Sequence, residues 1–140
     1  MMPLPKILIA EDEPDVLEIM ARGLTKADYE VITAADGNEA WERIQDEVPD
    51  VIVLDLIMPG MDGWTVLKKL RKNPPSEIWQ PVIIVSAKGE LEDLRQGFNL
   101  QADHYLTKPF QMDDLIKAVK IMVNLIPIRK SKFELKREKS

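Results

Sequence analysis

Three stretches of the chain, residues 7–10 (ILIA), 51–54 (VIVL) and 82–85 (VIIV), are unbroken runs of Val, Ile, Leu and Ala. A strand with no polar residue on either side of its pleat must be covered on both faces, as strands of a parallel sheet are. Residues 29–33 (YEVIT) and 104–106 (HYL) complete a series of five. Segments with apolar residues at helical spacing lie between them. Pro14, suited to a first helical position, opens one with Val16, Ile19, Met20 and Leu24 on one face. Asp36, Gly37 and Asn38 form a turn before a short helix carrying Ala40, Trp41 and Ile44. Asp62 caps a third helix through Val66, Leu67 and Leu70, which stops near Asn73, Pro74 and Pro75. Leu91, Leu94 and Phe98 mark a fourth, and Leu115, Val119 and Met122 a fifth that Pro127 ends. Strands alternating with helices predict an α/β fold, a doubly wound five-stranded parallel sheet. Right-handed crossovers put every strand's carboxyl end on one edge, where open sheets of this kind bind ligands.

A chain of 140 residues, 45% of them hydrophobic, suits one core. We assign residues 1–126 to the domain and 127–140 to a basic tail or linker. There is no cysteine, so disulfides and thiol chemistry are excluded and a reducing, cytoplasmic setting is expected. The opening MMPLPKILIA has too short an apolar run for a signal peptide, and no stretch is long enough to span a bilayer. The net charge of −5 hides an asymmetry. Residues 129–140 hold six Lys/Arg and two Asp/Glu, leaving 13 of the 19 bases and 22 of the 24 acids, a balance of −9, on the body. Such a body repels phosphate backbones, so this domain is not expected to bind nucleic acid, and nothing points to a membrane.

The residues just past the strands carry the chemistry. The first strand delivers Glu11 and Asp12, the third Asp55, the fourth Ser86 and the fifth Lys108, with Pro109 next. If the first and third strands are neighbours, three carboxylates, a hydroxyl and an ammonium share one rim. Clustered carboxylates repel unless one is protonated or a cation sits among them. The donors are hard oxygens, which fits Mg²⁺ better than Zn²⁺ or Ca²⁺. A carboxylate neutralised in this way can act as a nucleophile toward phosphorus, with Lys108 and Ser86 placed to hold the phosphoryl oxygens.

The stretches AEDE, VLDLIMPGMDGW, VSA and YLTKPF together resemble the receiver domain of two-component response regulators, the chemotaxis-regulator-like fold, over roughly residues 5–125. The resemblance implies a flavodoxin-like strand order 2-1-3-4-5. It makes Asp55 the phosphoacceptor and assigns Mg²⁺ to Glu11, Asp12, Asp55 and the backbone carbonyl of Ile57. It has Lys108 contact the phosphoryl group and precede a cis bond to Pro109. It further implies that Ser86 turns inward and lets Tyr105 swing from exposed to buried. The altered face is that of the fourth helix, fifth strand and fifth helix. The donor is then a sensor histidine kinase or phosphotransfer protein. The partner at that face is an output domain, a separate protein or a second copy in a homodimer. Activity is limited to self-phosphorylation and slow autodephosphorylation.

Some positions depart from the family's commonest pattern. Glu11 replaces the usual aspartate. Ile57 has no polar group to align a water, which implies a long-lived phosphoryl group. Receivers joined to winged-helix domains usually dimerise through acid–base pairs; here Asp103 is present, but His104 replaces the second acid and Ala118 the usual arginine. His104 receives no role. Two other readings compete. A Mg²⁺-dependent phosphohydrolase with an aspartyl-phosphate intermediate needs a second acid close after Asp55, and Leu56 and Ile57 supply none. A phosphate-independent receiver-like module, or a flavodoxin-like nucleotide binder, is the other; the latter needs a Ser/Thr-rich loop where Glu11 and Asp12 stand.

Overall fold

A computed structural model describes residues 4–87 and 102–139, with side chains through residue 125. Five strands, β1 (Lys6–Ala10), β2 (Glu30–Ala34), β3 (Val51–Asp55), β4 (Val82–Ala87) and β5 (His104–Lys108), form one sheet in the order β2-β1-β3-β4-β5. Every pairing is parallel. The first and third strands are therefore neighbours, with Ala10 beside Leu54. Helices α1 (Pro14–Lys26), α2 (Gly37–Glu47), α3 (Gly63–Lys72) and α4 (Met112–Lys139) are described. The fourth predicted helix, around Leu91, Leu94 and Phe98, lies outside the described residues.

The unbroken apolar runs explain the two-sided packing. Successive side chains of a strand point to opposite faces. Leu8, Ala10, Ile52, Leu54, Val82 and Ile84 join Ala40 and Ile44 of α2 and Val66, Leu67 and Leu70 of α3. Ile7, Ile9, Val51, Val53, Ile83 and Val85 join Met20 and Leu24 of α1 and Leu115, Val119 and Met122 of α4. Burial of one such side chain contributes roughly 1.5–3 kcal/mol, so the three central strands anchor the domain.

Helix starts follow local chemistry. Pro14 stands in the first turn of α1. Asp36 accepts from Glu39 N at 2.8 Å and Asp62 from Thr65 N at 2.7 Å, each satisfying a donor the helix leaves over. Two expectations are corrected. Ile19 is not on the buried face of α1; its side chain is 58% exposed. Pro127 does not end α4, which continues to Lys139. Proline removes one backbone hydrogen bond but does not forbid a helix from passing through.

Asp103 is spent inside the chain. It accepts from Arg71 Nη2 at 2.9 Å, Trp79 Nε1 at 3.0 Å and Val82 N at 2.9 Å, while Arg71 lies over the Trp79 ring at 3.7 Å. Its side chain is only 8% exposed. The cluster ties the end of α3 to the starts of β4 and β5, opposite the functional edge. Asp103→Ala removes an acceptor shared by three donors and is expected to lower stability by about 3 kcal/mol. Arg22→Ala, in an exposed pair with Glu18, is expected to change it by less than about 0.5 kcal/mol. Urea midpoints measure both, and equal midpoints contradict the assignment.

Candidate phosphoryl and metal site

The carboxyl edge gathers the sequence-predicted groups. β1 ends at Ala10, and Glu11 N continues its ladder by donating to Ala34 O at 3.0 Å. That bond fixes the backbone where the acids begin. Glu11 is buried and Asp12 exposed; Asp55, the last residue of β3, is 6% exposed. One carboxylate oxygen from each of Glu11, Asp12 and Asp55 lies within 4.8 Å of the others. Asp12 N donates to Glu11 Oε2 at 3.0 Å, and Ile57 N to Asp55 Oδ1 at 3.2 Å.

Lys108 reaches this cluster from β5. Its Nζ lies 2.7 Å from Glu11 Oε1 and 2.9 Å from Asp55 Oδ2. The Lys108–Pro109 bond is cis. Burial, reinforced by the hydrogen bond and charge of Asp55, pushes the Glu11 carboxyl up to about 8 against the pull of Lys108. Burial acts to lower the Lys108 ammonium, but its hydrogen bonds to Glu11 and Asp55 outweigh that and hold it above its usual value. The set thus carries more negative charge than one ammonium relieves.

Ser86 is buried on β4, one residue past Val85, the register partner of Asp55. Tyr105 packs half-buried against the cluster of α2 and α3, and burial raises its phenol above the ordinary value. Its hydroxyl is shielded from solvent. Ile57 is 60% exposed at the mouth, while its neighbours Leu56 and Met58 are buried.

Gly63 was not singled out as a site residue, yet it bears on the site directly. Its N donates to Leu56 O at 2.8 Å, closing the loop after β3, and a Cβ there would strike the carbonyl of Asp55. The signal was the glycine straight after the capping Asp62. Trp64 follows Gly63, with its Nε1 buried and without a hydrogen-bond partner among the described residues.

An oxygen-only donor set of three clustered carboxylates fits a hard divalent cation such as Mg²⁺, with Glu11, Asp12 and Asp55 as the residues that could hold it. No helix among the described residues is long and apolar enough to cross a membrane.

The model of the response regulator receiver domain family matches residues 7–120. The transcriptional regulatory protein TcrA of Mycobacterium tuberculosis is 37% identical over 123 residues, 88% of this chain and 47% of the relative. The alkaline phosphatase synthesis transcriptional regulatory protein PhoP of Bacillus subtilis is 36% identical over 133 residues, 95% of this chain and 54% of the relative. This chain therefore spans about half the length of these curated relatives. Among solved structures, the receiver domain of the Francisella response regulator 1452 is 38% identical with a TM-score of 0.78, covering 86% of this chain and 97% of that one.

The raised Glu11 gives a pH prediction. Its folded form holds a proton more tightly than the unfolded chain, so metal-free stability falls as pH rises between about 4.5 and about 8. The slope from this group is at most roughly 1.4 kcal/mol per pH unit. Glu11→Gln is expected to remove that part of the slope, measured by urea denaturation in a chelator from pH 5 to 8. An unchanged profile contradicts a raised Glu11.

Proposed function

The chain belongs to the response regulator receiver domain family, and from that premise we propose that Asp55 accepts a phosphoryl group from a phosphohistidine in a Mg²⁺-dependent step. The observation that carries this reading is Lys108 Nζ within 2.9 Å of Asp55, in a site shared with Glu11 and Asp12. A carboxylate oxygen of Asp55 forms the bond to phosphorus as the bond to the donor's imidazole nitrogen breaks, and its electron pair leaves on that nitrogen. The Lys108 ammonium takes one phosphoryl oxygen, and the Ser86 hydroxyl donates to another. Glu11, Asp12, Asp55 and the Ile57 carbonyl would hold Mg²⁺, which when bound would neutralise charge on the oxygens.

The donor is a sensor histidine kinase or a phosphotransfer protein, acting in the cytoplasm. An apolar recess of about 420 Å³ beside Lys108, lined by Val16, Ile19, Phe110 and Met112 among others, supports docking of a helical donor next to the site. Output runs through Ser86 and Tyr105 to the face of the fourth predicted helix, β5 and α4. An output domain, a separate protein or a second copy meets that face. The two relatives named above are transcriptional regulators by description, which supports an output in gene control. Asp103, held by Arg71 and Trp79, is not offered as an acid of that interface.

Incubation with acetyl phosphate and Mg²⁺ is expected to label the chain once, at Asp55. Asp55→Asn or a chelator abolishes the label. Multiple-turnover release of phosphate from simple esters would instead support the phosphohydrolase reading. Ile57→Asn places a polar group at the exposed mouth and is expected to shorten the phosphoryl lifetime on the order of 10-fold or more. Decay followed by mass spectrometry tests this, and an unchanged lifetime contradicts it.

A further inference from the structure

The loop that follows the phosphoacceptor rests on a helix with no residue in the site. Its ends are tied by Leu56 N to Val85 O at 3.0 Å and Gly63 N to Leu56 O at 2.8 Å. Its far side lies on the amino end of α2. Gly37 N donates to Pro59 O at 3.5 Å, and the Gly37 Cα is so close to Met61 that a Cβ would overlap the Met61 carbonyl. Gly60 has φ +78°, a conformation glycine tolerates, and a Cβ there would stand 2.7 Å from Asn38 Nδ2. Backbone meets backbone at Gly37 with no side chain between that could yield.

We propose that Gly37 and Asn38 are positioning residues for the Mg²⁺ and phosphoryl site: by bearing on Pro59, Gly60 and Met61 they set where the loop, and with it the Ile57 carbonyl, stands relative to Asp55. This rests on the proposed role of Ile57 as a metal ligand. The loop has little slack. Leu56 and Met58 are anchored in the core on either side of Ile57, so a push on Met61 cannot be absorbed by those side chains swinging out. Groups behind a metal's ligands commonly alter its affinity 10- to 100-fold. The amino end of α2 is also fixed in its turn by the Asp36 cap and by Ala40 and Ile44 in the core. The support is therefore stiff on both sides of the contact.

The test titrates Mg²⁺ alone into the full chain by calorimetry, for wild type, Gly37→Ala, Asn38→Ala and Ile44→Val. It then measures acetyl phosphate labelling across Mg²⁺ concentrations. Gly37→Ala is expected to weaken Mg²⁺ binding on the order of 10-fold and Asn38→Ala a few-fold. Labelling should recover in both at saturating Mg²⁺. Ile44→Val, which destabilises α2 away from the loop, should bind Mg²⁺ like wild type. If Gly37→Ala does not fold, Asn38→Ala, which truncates a residue that is exposed overall, decides the matter. Wild-type affinity in the folded Gly37→Ala or Asn38→Ala chain overturns the proposal, as does an equal loss in Ile44→Val. A wild-type chain that takes up no Mg²⁺ overturns the metal site itself, a different failure visible before any variant is made.

Discussion

Three carboxylates held within 4.8 Å of one another are the constraint on which this molecule turns. Two like charges about 4 Å apart at a protein surface repel by roughly 4 kcal/mol, so the cluster opposes its own folding. The sheet imposes it regardless. β1 and β3 are neighbours in register, and both run out of apolar residues at the same edge. Lys108, 97 residues from Glu11 in sequence, answers part of the charge by bonding to both Glu11 and Asp55. What remains unanswered makes the edge receptive to a divalent cation, while burial, reinforced by Asp55, keeps Glu11 reluctant to ionise.

The cost is carried by the interior. Each central strand sends alternate side chains into two separate apolar clusters, one under α2 and α3, the other under α1 and α4. A sheet clamped on both faces cannot splay its strand ends to let the acids drift apart. The Asp103 cluster performs a related task at the opposite edge, where Arg71, Trp79 and Val82 converge on one carboxylate. One end of the sheet is thus satisfied internally, and the other is left with charge to offer.

Much of this could be read from the chain because strands buried on both faces leave a strong mark. ILIA, VIVL and VIIV located β1, β3 and β4, and the residues straight after them named Glu11, Asp55 and Ser86. Asp36 and Asp62 announced their helices because a cap is a local event. Less local facts stayed hidden. Ile19 has helical spacing with Met20 and Leu24, but spacing cannot say where a buried stripe stops. Pro127 reads as a stop, although the helix runs on. The engagement of Asp103 depends on Arg71 and Trp79, which approach it only after the sheet closes. The contact of Gly37 with Met61 is between backbones, and no side-chain pattern records it.

The most direct measurement is a crystal structure of the chain with Mg²⁺ and beryllofluoride, an ion that mimics a phosphoryl group on a carboxylate. The account predicts beryllium bonded to a carboxylate oxygen of Asp55, a fluorine held by Lys108 Nζ, and the metal among Glu11, Asp12, Asp55 and the Ile57 carbonyl. Beryllofluoride absent from Asp55 in crystals that contain both ions, or metal bound away from these carboxylates, would contradict it.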